Sequence, residues 1–500
     1  MTPRDSPWNY LATCVASTAL RSVAEPVAED MRMRIFSTVL ATLLICGAAT
    51  DAAFSQDASK QTWDPNATAE SLGLTPYQIP DDFYPVFPWD HLGDWMEKYQ
   101  SLESAMKSMG ECQFTLSGFV DSIEAAKEAE KNGLKCIYEA KIEVFDETNL
   151  TNEEIEKKCA EIDARIKAVV EETQELTNVI GYNLVDEPGV YKFKALAAGV
   201  AAVKKYAPGK LAYINLFPGY ASTIGADANS QLGTYTYEEY LERFVQEVKP
   251  QLLSYDNYML EYSEDMRDSG RAQVFFSDLF IVRRIAKKYN LPFWFIGSSL
   301  CILENSSPPT PARYALQTYL PLAAGADGLT WFLYYPLGWR YSPIDRFGNK
   351  TVSWLYMREI NIQARAIGAY LKKYRSTDIG MDPIYTQDEA PNLPQFPAKP
   401  TKVLPDLTTS YSVNGTYSAK EAPKVLVGEF EEEEGESVAA LVVNMSLETS
   451  VKVKFAKPDG YRLLKTISPV DGTEEEVNDE EFQSGFWIIP GHGTLFVWEK

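Results

Sequence analysis

Histidine is nearly absent from this chain of 500 residues, which contains only His91 and His492. Two histidines cannot supply a His-x-Glu or His-Glu-x-x-His zinc motif. A Ser-His-Asp triad would have to use His91, because His492 lies in a terminal Pro-Gly-His-Gly turn. A Gly-x-Ser-x-Gly elbow, a P-loop and a Gly-x-Gly-x-x-Gly motif are also missing. Carboxylates are therefore the main acid–base groups, and the sequence predicts neither a metal nor a cofactor.

Basic residues are also in short supply. The chain has 47 Lys and Arg against 70 Asp and Glu, which gives a formal net charge of −23. Nucleic-acid binding needs clustered Lys and Arg opposite the phosphates, so a nucleic-acid partner is not expected. The same excess of negative charge disfavours an anionic polysaccharide. Aromatic residues make up 12% of the chain, which is compatible with stacking on the rings of a carbohydrate.

The chain has no apolar run of the length that a membrane span requires. The candidate, residues 35–49, is short, follows Arg32 and Arg34, and is followed by small residues and by Ala53-Phe-Ser55, a plausible cleavage site before Gln56. This pattern is typical of a secretory signal peptide, which we place within residues 1–55. We therefore expect a secreted or periplasmic protein without stable membrane insertion.

The true start of the chain is expected at Met31 or Met33, because residues 1–30 show no pattern that belongs to the signal. A linker is expected over residues 56–80.

Cysteine is scarce, with six in the chain. Cys14 and Cys46 precede the expected cleavage site. Cys112 and Cys136 lie near the starts of neighbouring predicted strands, so a disulfide between them or a pair of buried free thiols fits the sequence equally well.

From about residue 83, short apolar segments alternate with amphipathic helical patterns. The eight predicted strands cover residues 84–89, 113–118, 135–139, 180–185, 211–216, 252–256, 292–296 and 328–334. This alternation with short loops predicts a parallel sheet, and eight such units match the size of a closed (β/α)8 TIM barrel. An open, doubly wound sheet is the alternative, but no glycine-rich phosphate turn supports it.

The remainder of the chain divides into a linker and a second domain. We place the barrel at residues 81–385 and a Pro-containing linker at 386–420. Residues 421–500 alternate short apolar segments with turns such as Pro-Asp-Gly460. They are expected to form a small antiparallel β-sandwich.

The most informative segment ends in Asp186-Glu187-Pro188, where an apolar strand runs into two adjacent carboxylates. In a parallel barrel the C-terminal strand ends form the floor of the active site. Because neighbouring strand residues point to opposite faces, only one of the two is expected to enter the site unless the strand has already ended. We favour Glu187 as a proton donor. The alternative is that the pair begins the next helix, with Pro188 in its first turn.

Three segments carry a resemblance to a known family: Tyr-Asn-Leu-Val-Asp-Glu-Pro188, Asn-Leu-Phe-Pro218 and Leu-Ser-Tyr-Asp-Asn-Tyr258. They lie at the ends of predicted strands four, five and six. Over roughly residues 80–375 the chain resembles the clan of TIM-barrel glycoside hydrolases that includes β-galactosidases and cellulases. The resemblance implies glycosidase activity, with Glu187 matching the clan's acid/base. Asp186 stands where the clan normally has an Asn that binds the sugar 2-hydroxyl.

The chain departs from that clan at strand seven, whose end carries the clan's nucleophilic Glu. Here the strand ends Phe295-Ile-Gly-Ser-Ser299, and the next carboxylate is Glu304. Asp256, at the end of strand six, is the best substitute, followed by Glu139 at the end of strand three. Asp256 also fits a loop carboxylate that caps a helix or pairs with an Arg. Glu304 fits an exposed loop residue better than a catalytic one.

Other polar and aromatic residues at predicted strand ends complete the expected site. The predicted substrate-binding residues are Asp186, Asn215, Tyr258, Trp331, Tyr334 and Glu139. Trp331 and Tyr334 would suit a platform for a sugar ring, but packing in the barrel explains them equally well. The same alternatives apply to Trp89 and His91.

Glycoside cleavage requires one protonated carboxyl for the leaving oxygen and a second, ionised carboxylate. We therefore expect an exported glycoside hydrolase with Glu187 as general acid/base and Asp256 as nucleophile or water-activating base. A separation of about 5 Å between the two would predict retention, and roughly 6.5–9.5 Å would predict inversion. Two alternatives stay open: an inactive barrel that only binds glycans, favoured by the vacant strand-seven position, and a lyase with Tyr258 as base.

Overall fold

The computed structural model describes residues 63–80, 83–93, 95–225, 230–262, 269–302, 308–385, 388, 395–413, 416–418 and 422–500. The expected signal peptide and Glu304 lie outside these residues. Among the helices of the described part, none combines the length and apolarity needed to cross a membrane.

Eight parallel strands form the first sheet. They are β1 (Val86–Pro88), β2 (Leu116–Val120), β3 (Lys135–Glu139), β4 (Val179–Asp186), β5 (Leu211–Leu216), β6 (Leu253–Asp256), β7 (Phe293–Ser298) and β8 (Gly328–Phe332). Their order is β1-β8-β7-β6-β5-β4-β3-β2. Across the seam between β1 and β2, the Thr115 N–H donates to the Val86 carbonyl at 2.9 Å, and the Leu92 N–H donates to the Phe119 carbonyl at 2.8 Å. The sheet is therefore a closed barrel, which confirms the predicted fold and excludes the open sheet.

Helices connect successive strands of the barrel. In chain order the helices are α1 (Ala69–Leu72), α2 (Leu102–Glu111), α3 (Ile123–Lys131), α4 (Asn152–Thr173), α5 (Phe193–Tyr206), α6 (Tyr237–Arg243), α7 (Met259–Tyr262), α8 (Ser269–Tyr289), α9 (Pro311–Ala323), α10 (Val352–Leu371) and α11 (Asp479–Ser484). Thr151 caps α4 in a reciprocal capping box with Glu154, which satisfies two backbone donors at the helix start.

Aromatic side chains fill the barrel interior. The fully buried Phe87 ring lies 6.1 Å from both Phe119 and Tyr213 and 5.7 Å from Trp294, with edge-on geometry in each pair. These rings come from four different strands and leave no channel through the lower part of the barrel. The polar residues above them, at the C-terminal strand ends, are the ones available to a ligand.

The rest of the chain forms an antiparallel β-sandwich, as predicted. Its strands are β9 (Tyr374–Met381), β10 (Thr408–Val413), β11 (Thr416–Ser418), β12 (Val425–Glu432), β13 (Val438–Asn444), β14 (Val451–Lys454), β15 (Leu463–Ile467), β16 (Glu474–Glu476), β17 (Phe486–Ile488) and β18 (Gly493–Glu499). One sheet has the order β16-β15-β18-β13-β12-β9 and the other β11-β10-β14-β17.

The boundaries of this second domain differ from those expected. β9 falls inside the region assigned to the barrel, yet it pairs with β12 along its whole length. β10 and β11 fall inside the region assigned to the linker and belong to the smaller sheet. The sandwich therefore begins near Tyr374. A local sequence pattern does not reveal pairings between strands that are about 50 residues apart.

One hydrophobic core joins the barrel to the six-stranded sheet, and a second lies within the sandwich. Helix α9 is almost wholly buried, because the barrel covers one of its faces and the six-stranded sheet covers the other. Gly428 in β12 lies so close to the end of α9 that a Cβ there would overlap the carbonyl oxygen of Ala323. Tyr319 of α9 packs against the ring of His492 at 5.9 Å.

The cysteines of the described part are free thiols, so the expected alternative of a Cys112–Cys136 disulfide is wrong. The two side chains face different partners: the Cys112 thiol lies 3.9 Å from the carbonyl of Trp354, and the Cys136 sulfur 3.6 Å from the Asn178 amide.

Substitution of Gly428 by Ala is expected to destabilise the protein by at least about 2 kcal/mol, because the methyl group has no space against the backbone of α9. Chemical denaturation measures the effect. Gly110→Ala in α2 is the control, since its Cβ would lie 3.2 Å from the nearest atom, and the change should stay within about 1 kcal/mol. Equal unfolding midpoints for the two variants would contradict this account of the interface.

Candidate active site

The end of β4 brings two adjacent carboxylates into the mouth of the barrel. β4 ends at Asp186, and Glu187 adopts a left-handed conformation with φ of 43°. This turn breaks the alternation of a strand, so both side chains enter the mouth. The conformation costs a non-glycine residue about 1–3 kcal/mol, and the Glu187 N–H compensates in part by donating to the Asn215 carbonyl at 3.0 Å.

The pair does not begin a helix, as the alternative interpretation held. The next helical turn covers Val190–Lys192, and its N-cap is Gly189, with no side-chain hydrogen bond to the cap. Glu187 and Asp186 are therefore not used as capping groups, and the strain at Glu187 requires another explanation. Strained residues cluster at functional sites, where the surrounding structure holds them in place.

Asn215, at the end of β5, joins the two neighbouring strand ends. Its amide nitrogen donates to Asp186 Oδ1 at 3.1 Å and to Asp256 Oδ1 at 3.0 Å. The side-chain oxygen of Asn215, Oδ1, accepts a hydrogen bond from the Ser254 hydroxyl at 3.2 Å. The Ser254 hydroxyl is also hydrogen-bonded to the Tyr213 hydroxyl at 2.8 Å. This series of hydrogen bonds fixes the orientation of the Asn215 amide, so that both of its N–H groups point at carboxylates.

The carboxyls of Glu187, which is half-buried, and Asp256, which is buried, lie within hydrogen-bond reach of each other. Burial, followed by the charges of Asp256 and Asp186, raises the pKa of Glu187 well above its ordinary value. Burial and the charge of Asp186 raise the pKa of Asp256 to about 8, although the Asn215 hydrogen bond opposes the shift. Two carboxyls in contact cannot both be ionised at low cost, so the pair holds a proton at neutral pH.

Asp186 differs from Asp256 in its access to solvent. Asp256 is only 2% exposed, whereas the Asp186 residue is exposed at the barrel mouth. Protein surrounds the Asp186 carboxyl on most sides and raises its pKa, but water and a ligand still reach it from the mouth. The hydrogen bond from Asn215 and the charge of His91 favour its ionised form. When two carboxyl groups lie in different environments, one can act as an acid while the other stays ionised.

A second polar cluster faces the pair across the mouth. His91 Nδ1 lies 2.5 Å from Glu139 Oε1, and the Asn183 amide donates to both Glu139 oxygens at 3.3 and 3.1 Å. Burial lowers the pKa of His91, but the hydrogen bond to Glu139 and the charges of Glu139, Asp186 and Asp90 outweigh it and raise the pKa above 6.5. Asn183 was not predicted, although a polar residue within an otherwise apolar strand was a signal.

Tyr258 lies at the mouth, as expected from the sequence. It is half-buried, and its ring lies 5.3 Å from that of Phe332. Burial raises the pKa of its hydroxyl well above 10, with further contributions from the charges of Asp256, Glu187 and Asp186. The hydroxyl is therefore a proton-bearing hydrogen-bond donor close to all three carboxyls.

Trp331 and Tyr334 are placed differently from the expected sugar platform. Trp331 is 2% exposed, and its indole N–H donates to Asn361 of α10 at 3.0 Å. Tyr334 is fully buried, and its hydroxyl contacts Ser108 at 2.6 Å and Trp354 at 2.8 Å. Both residues therefore pack between the barrel and its helices, and the prediction that they stack on a sugar is wrong.

The end of β7 carries no carboxylate within residues 293–302, all of which the structure describes. Helix α9 packs against the end of this strand: the Ser298 N–H donates to Gln317 Oε1 at 2.8 Å, and the Gln317 amide donates back to the Ser298 carbonyl at 3.0 Å. A Cβ at Gly297 would lie 2.9 Å from the same Gln317 oxygen. The helix-facing side of this strand end is therefore closely packed.

Two buried aspartates hold the loops around the mouth. Asp278 of α8 accepts hydrogen bonds from the Gly219 N–H and the Asn257 amide, each at 2.8 Å, and thereby fixes the loops after β5 and β6. Asp90 accepts from the backbone N–H of Tyr334 at 2.8 Å and fixes the loop after β8. The described residues contain no group of three or more His, Cys, Asp or Glu side chains arranged to hold a metal ion.

Comparisons with known proteins agree with this architecture. No family model and no curated protein matches the sequence. Among solved structures, Gan42B, a GH42 β-galactosidase from G. stearothermophilus, superposes with a TM-score of 0.53 at 7% identity, covering 85% of this chain and 100% of that one. A catalytic mutant of the same enzyme gives 0.50.

A glycoside hydrolase family 5 protein from Bacteroides vulgatus superposes with a TM-score of 0.46 at 12% identity, covering 86% and 94% of the two chains. At such low identities these likenesses concern the fold. The chain has the fold of TIM-barrel glycoside hydrolases, as the resemblance implied, and no individual family is identified.

The two histidines are expected to titrate in opposite directions from the ordinary pKa. Burial lowers the pKa of His492, whereas the carboxylates around His91 raise its pKa. Proton NMR of the untagged protein would resolve both imidazoles in one titration. Glu139→Gln should move the His91 midpoint downward and leave that of His492 in place. A lower midpoint for His91 than for His492 in the wild type would contradict the described cluster.

Asp256→Asn is expected to stabilise the protein selectively at alkaline pH. The folded pKa of Asp256, about 8, lies above its ordinary value of 3.8, so the wild type loses stability as pH rises from about 4 through 8. The amide can still accept from Asn215 and donate to Glu187. Thermal unfolding at pH 5 and pH 9 should show a larger gain in Tm at pH 9. An equal gain at both pH values would show that Asp256 ionises in the folded state as freely as in the unfolded chain, and would contradict the raised pKa.

Proposed function

We propose that the protein is an exported glycoside hydrolase in which Glu187 is the general acid/base. The observation that carries this proposal is Glu187 itself, a residue with a left-handed backbone at the C-terminal mouth of a (β/α)8 barrel, whose pKa is raised by burial and by the neighbouring carboxyls of Asp256 and Asp186. The fold of the structural neighbours, all glycosidases by name, raises the expectation of this chemistry. The signal-like segment at residues 35–49 supports export.

Glu187 is suited to protonate a glycosidic oxygen. An alkoxide is a poor leaving group, so cleavage requires a carboxyl that still carries its proton near neutral pH. Burial and two neighbouring carboxylates keep the proton on Glu187. After the leaving group departs, the same residue, now ionised, can take a proton from the attacking water.

Asp256 is the acidic companion of Glu187. It is 2% exposed, its pKa is about 8, and its carboxyl is in contact with that of Glu187. An inverting enzyme separates its carboxyls by roughly 6.5–9.5 Å to admit a water molecule, and this contact leaves no such gap. Asp256 is therefore not placed as the water-activating base of an inverting mechanism. The same burial makes Asp256 a weak candidate for the nucleophile expected from the sequence, and its role is to hold a shared proton next to Glu187.

The mouth is suited to an uncharged polyhydroxylated ligand. Asp186, Glu139 and Asn183 offer hydrogen-bond acceptors for hydroxyl groups, and the Tyr258 hydroxyl offers a donor. An anionic sugar would meet carboxylates on several sides. This arrangement also disfavours a lyase, because lyases act on uronates and the raised pKa of Tyr258 makes it a poor base.

A glycan-binding protein without turnover is the second candidate. It is favoured by the end of β7, which carries no carboxylate within the described residues 293–302. Binding of oligosaccharides without any released product would support this candidate.

Glu187→Gln is expected to lower kcat by about 10²–10⁴-fold, because the amide cannot donate a proton to the leaving oxygen. Release of reducing sugar from a panel of neutral oligosaccharides, whose leaving groups must be protonated, provides the assay. Glu161→Gln, on the exposed face of α4, is the matched control and should keep full activity. Wild-type activity in Glu187→Gln would refute the assignment.

A further inference from the structure

A cavity of about 440 Å³ lies at the N-terminal face of the barrel, on the side opposite the mouth. One wall consists of residues that precede β1 and β2, among them Phe83 and Gln113, together with one face of α10. The other wall is the turn at residues 470–472, between β15 and β16 of the sandwich. Small-molecule sites usually measure roughly 300–1,000 Å³ and often lie where two domains meet. The cavity therefore has the size and the position of a ligand site separate from the candidate active site.

Contacts between the barrel and the sandwich hold the two walls of this cavity together. The Tyr370 hydroxyl of α10 donates to Glu474 of β16 at 2.8 Å. At Gly472, whose φ is 73°, a Cβ would lie 3.3 Å from the carbonyl oxygen of Ala366, so the turn lies directly against α10. The cavity is therefore formed in advance, and a ligand within it would contact both domains.

Arg365 of α10 supplies a half-buried positive charge to the cavity. Its guanidinium donates to the side-chain oxygen of Gln113 at 2.8 Å, which is an uncharged acceptor. Burial lowers the pKa of Arg365, and no carboxylate in the described part of the chain offsets this shift. A guanidinium has five N–H donors in a planar fork that matches a carboxylate, and the bond to Gln113 uses one of them. In a chain with a net charge of −23, a cation placed in this way is suited to an anion from outside.

Gln113 has a left-handed backbone, with a φ of 65°, directly after α2. Its N–H donates to the Gly110 carbonyl at 3.0 Å, and the next N–H donates to that of Met109 at 3.3 Å. This is a helix ending that normally uses glycine, and α3 ends in the same way with Gly133 at a φ of 72°. Glycine would avoid the strain, so the side chain at position 113 requires a reason. That reason is Arg365, because an amide oxygen orients the guanidinium without neutralising its charge.

The remaining lining of the cavity is largely apolar. The side chains that supply this surface are Phe83, Ile362, Ala369 and Val470. Lys135 Nζ lies 5.1 Å from the centre of the Phe83 ring and adds a second positive charge near this wall. Asp471 is an acidic group of the lining, but its carboxylate accepts from the Thr473 N–H at 3.1 Å and hydroxyl at 2.8 Å within its own turn. The lining therefore combines one oriented guanidinium with an apolar surface.

We propose that this cavity binds a small monocarboxylate with a body of one or two rings. The carboxylate pairs with Arg365, and the rings pack against the apolar wall. Aryl carboxylates and sugar acids share this chemistry. The cavity and Glu187 lie at opposite ends of the barrel, so the ligand is not the substrate of the mouth. Because the ligand contacts both domains, its binding stabilises the folded protein by mass action.

The test measures Tm and calorimetric binding at neutral pH with benzoate and glucuronate, with their neutral counterparts benzamide and glucose, and with inorganic phosphate. At least one carboxylate should bind and raise Tm, about 10-fold or more tightly than its neutral counterpart. Benzoate alone would identify an aryl carboxylate site and glucuronate alone a sugar acid site. Binding of neither carboxylate, or an equal effect of phosphate, would overturn the proposal.

The role of the guanidinium is tested by Arg365→Gln, which should weaken binding of the carboxylate by at least about 10-fold, because a charged hydrogen-bond donor is lost. Arg462→Gln, at an exposed position of the sandwich, removes the same charge and should bind as the wild type does. Equal loss of binding in the two variants would mean that net charge alone attracts the ligand, and the site would be refuted.

The position of the site is tested by a variant that leaves Arg365 in place. Ala369 is an exposed residue of α10 that lines the cavity, so Ala369→Trp should fill part of the cavity and weaken binding. Ala160→Trp, at an exposed position of α4, is the matched control and should leave binding unchanged. Wild-type affinity in Ala369→Trp would place the carboxylate elsewhere and overturn the proposal.

Gln113→Gly separates binding from folding. Glycine removes the left-handed strain after α2, so the Tm of the free protein should rise. The affinity for the carboxylate should fall several-fold, because Arg365 loses the acceptor that orients it. A lower Tm with unchanged affinity would show that Gln113 serves packing alone.

Discussion

The amide of Asn215 is the interaction on which the mouth of the barrel depends. One side-chain nitrogen donates to carboxylates on the strands at either side of β5, at 3.1 Å to Asp186 and 3.0 Å to Asp256. Carboxylates at such short range repel one another, and burial makes the repulsion stronger. The amide offsets part of that repulsion without adding a positive charge, so the pKa of the neighbouring Glu187 stays high. A Lys or Arg in this place would favour ionisation of all three carboxyls.

The division of roles among these carboxyls follows from the shape of the backbone. The left-handed residue at the end of β4 turns Glu187 toward Asp256, while Asp186 stays at the solvent side of the mouth. Glu187 and Asp256 together retain a proton, and the exposed Asp186 carboxylate faces a ligand that enters the mouth. A regular strand would have sent one of the two side chains out of the barrel, and Asp186 and Glu187 would not both face the mouth.

Much of this arrangement was accessible from the sequence, and the rest required coordinates. Alternating apolar and amphipathic segments predicted the barrel, and the strand ends identified Glu187, Asp256 and Asn215, because parallel strands gather their C-terminal ends at one face. The conformation of Glu187 could not be predicted, since a non-glycine residue before proline gives no sign of a positive φ. The predicted directions of the Trp331 and Tyr334 side chains were wrong for a related reason. Near a strand end, a shift of one residue exchanges the inner and outer faces of the sheet. The start of the sandwich at β9 depends on pairing with β12, which no local pattern records.

The position of α9 has a consequence for the history of this chain. Helix α9 belongs to the barrel and also packs against the six-stranded sheet, and Gly428 allows the backbone of β12 to contact the backbone of α9. Removal or exchange of the sandwich by recombination would therefore also disrupt the packing of the barrel. Mutations on either side of this seam must be tolerated by both, so the two architectures are expected to diversify as a single inherited unit.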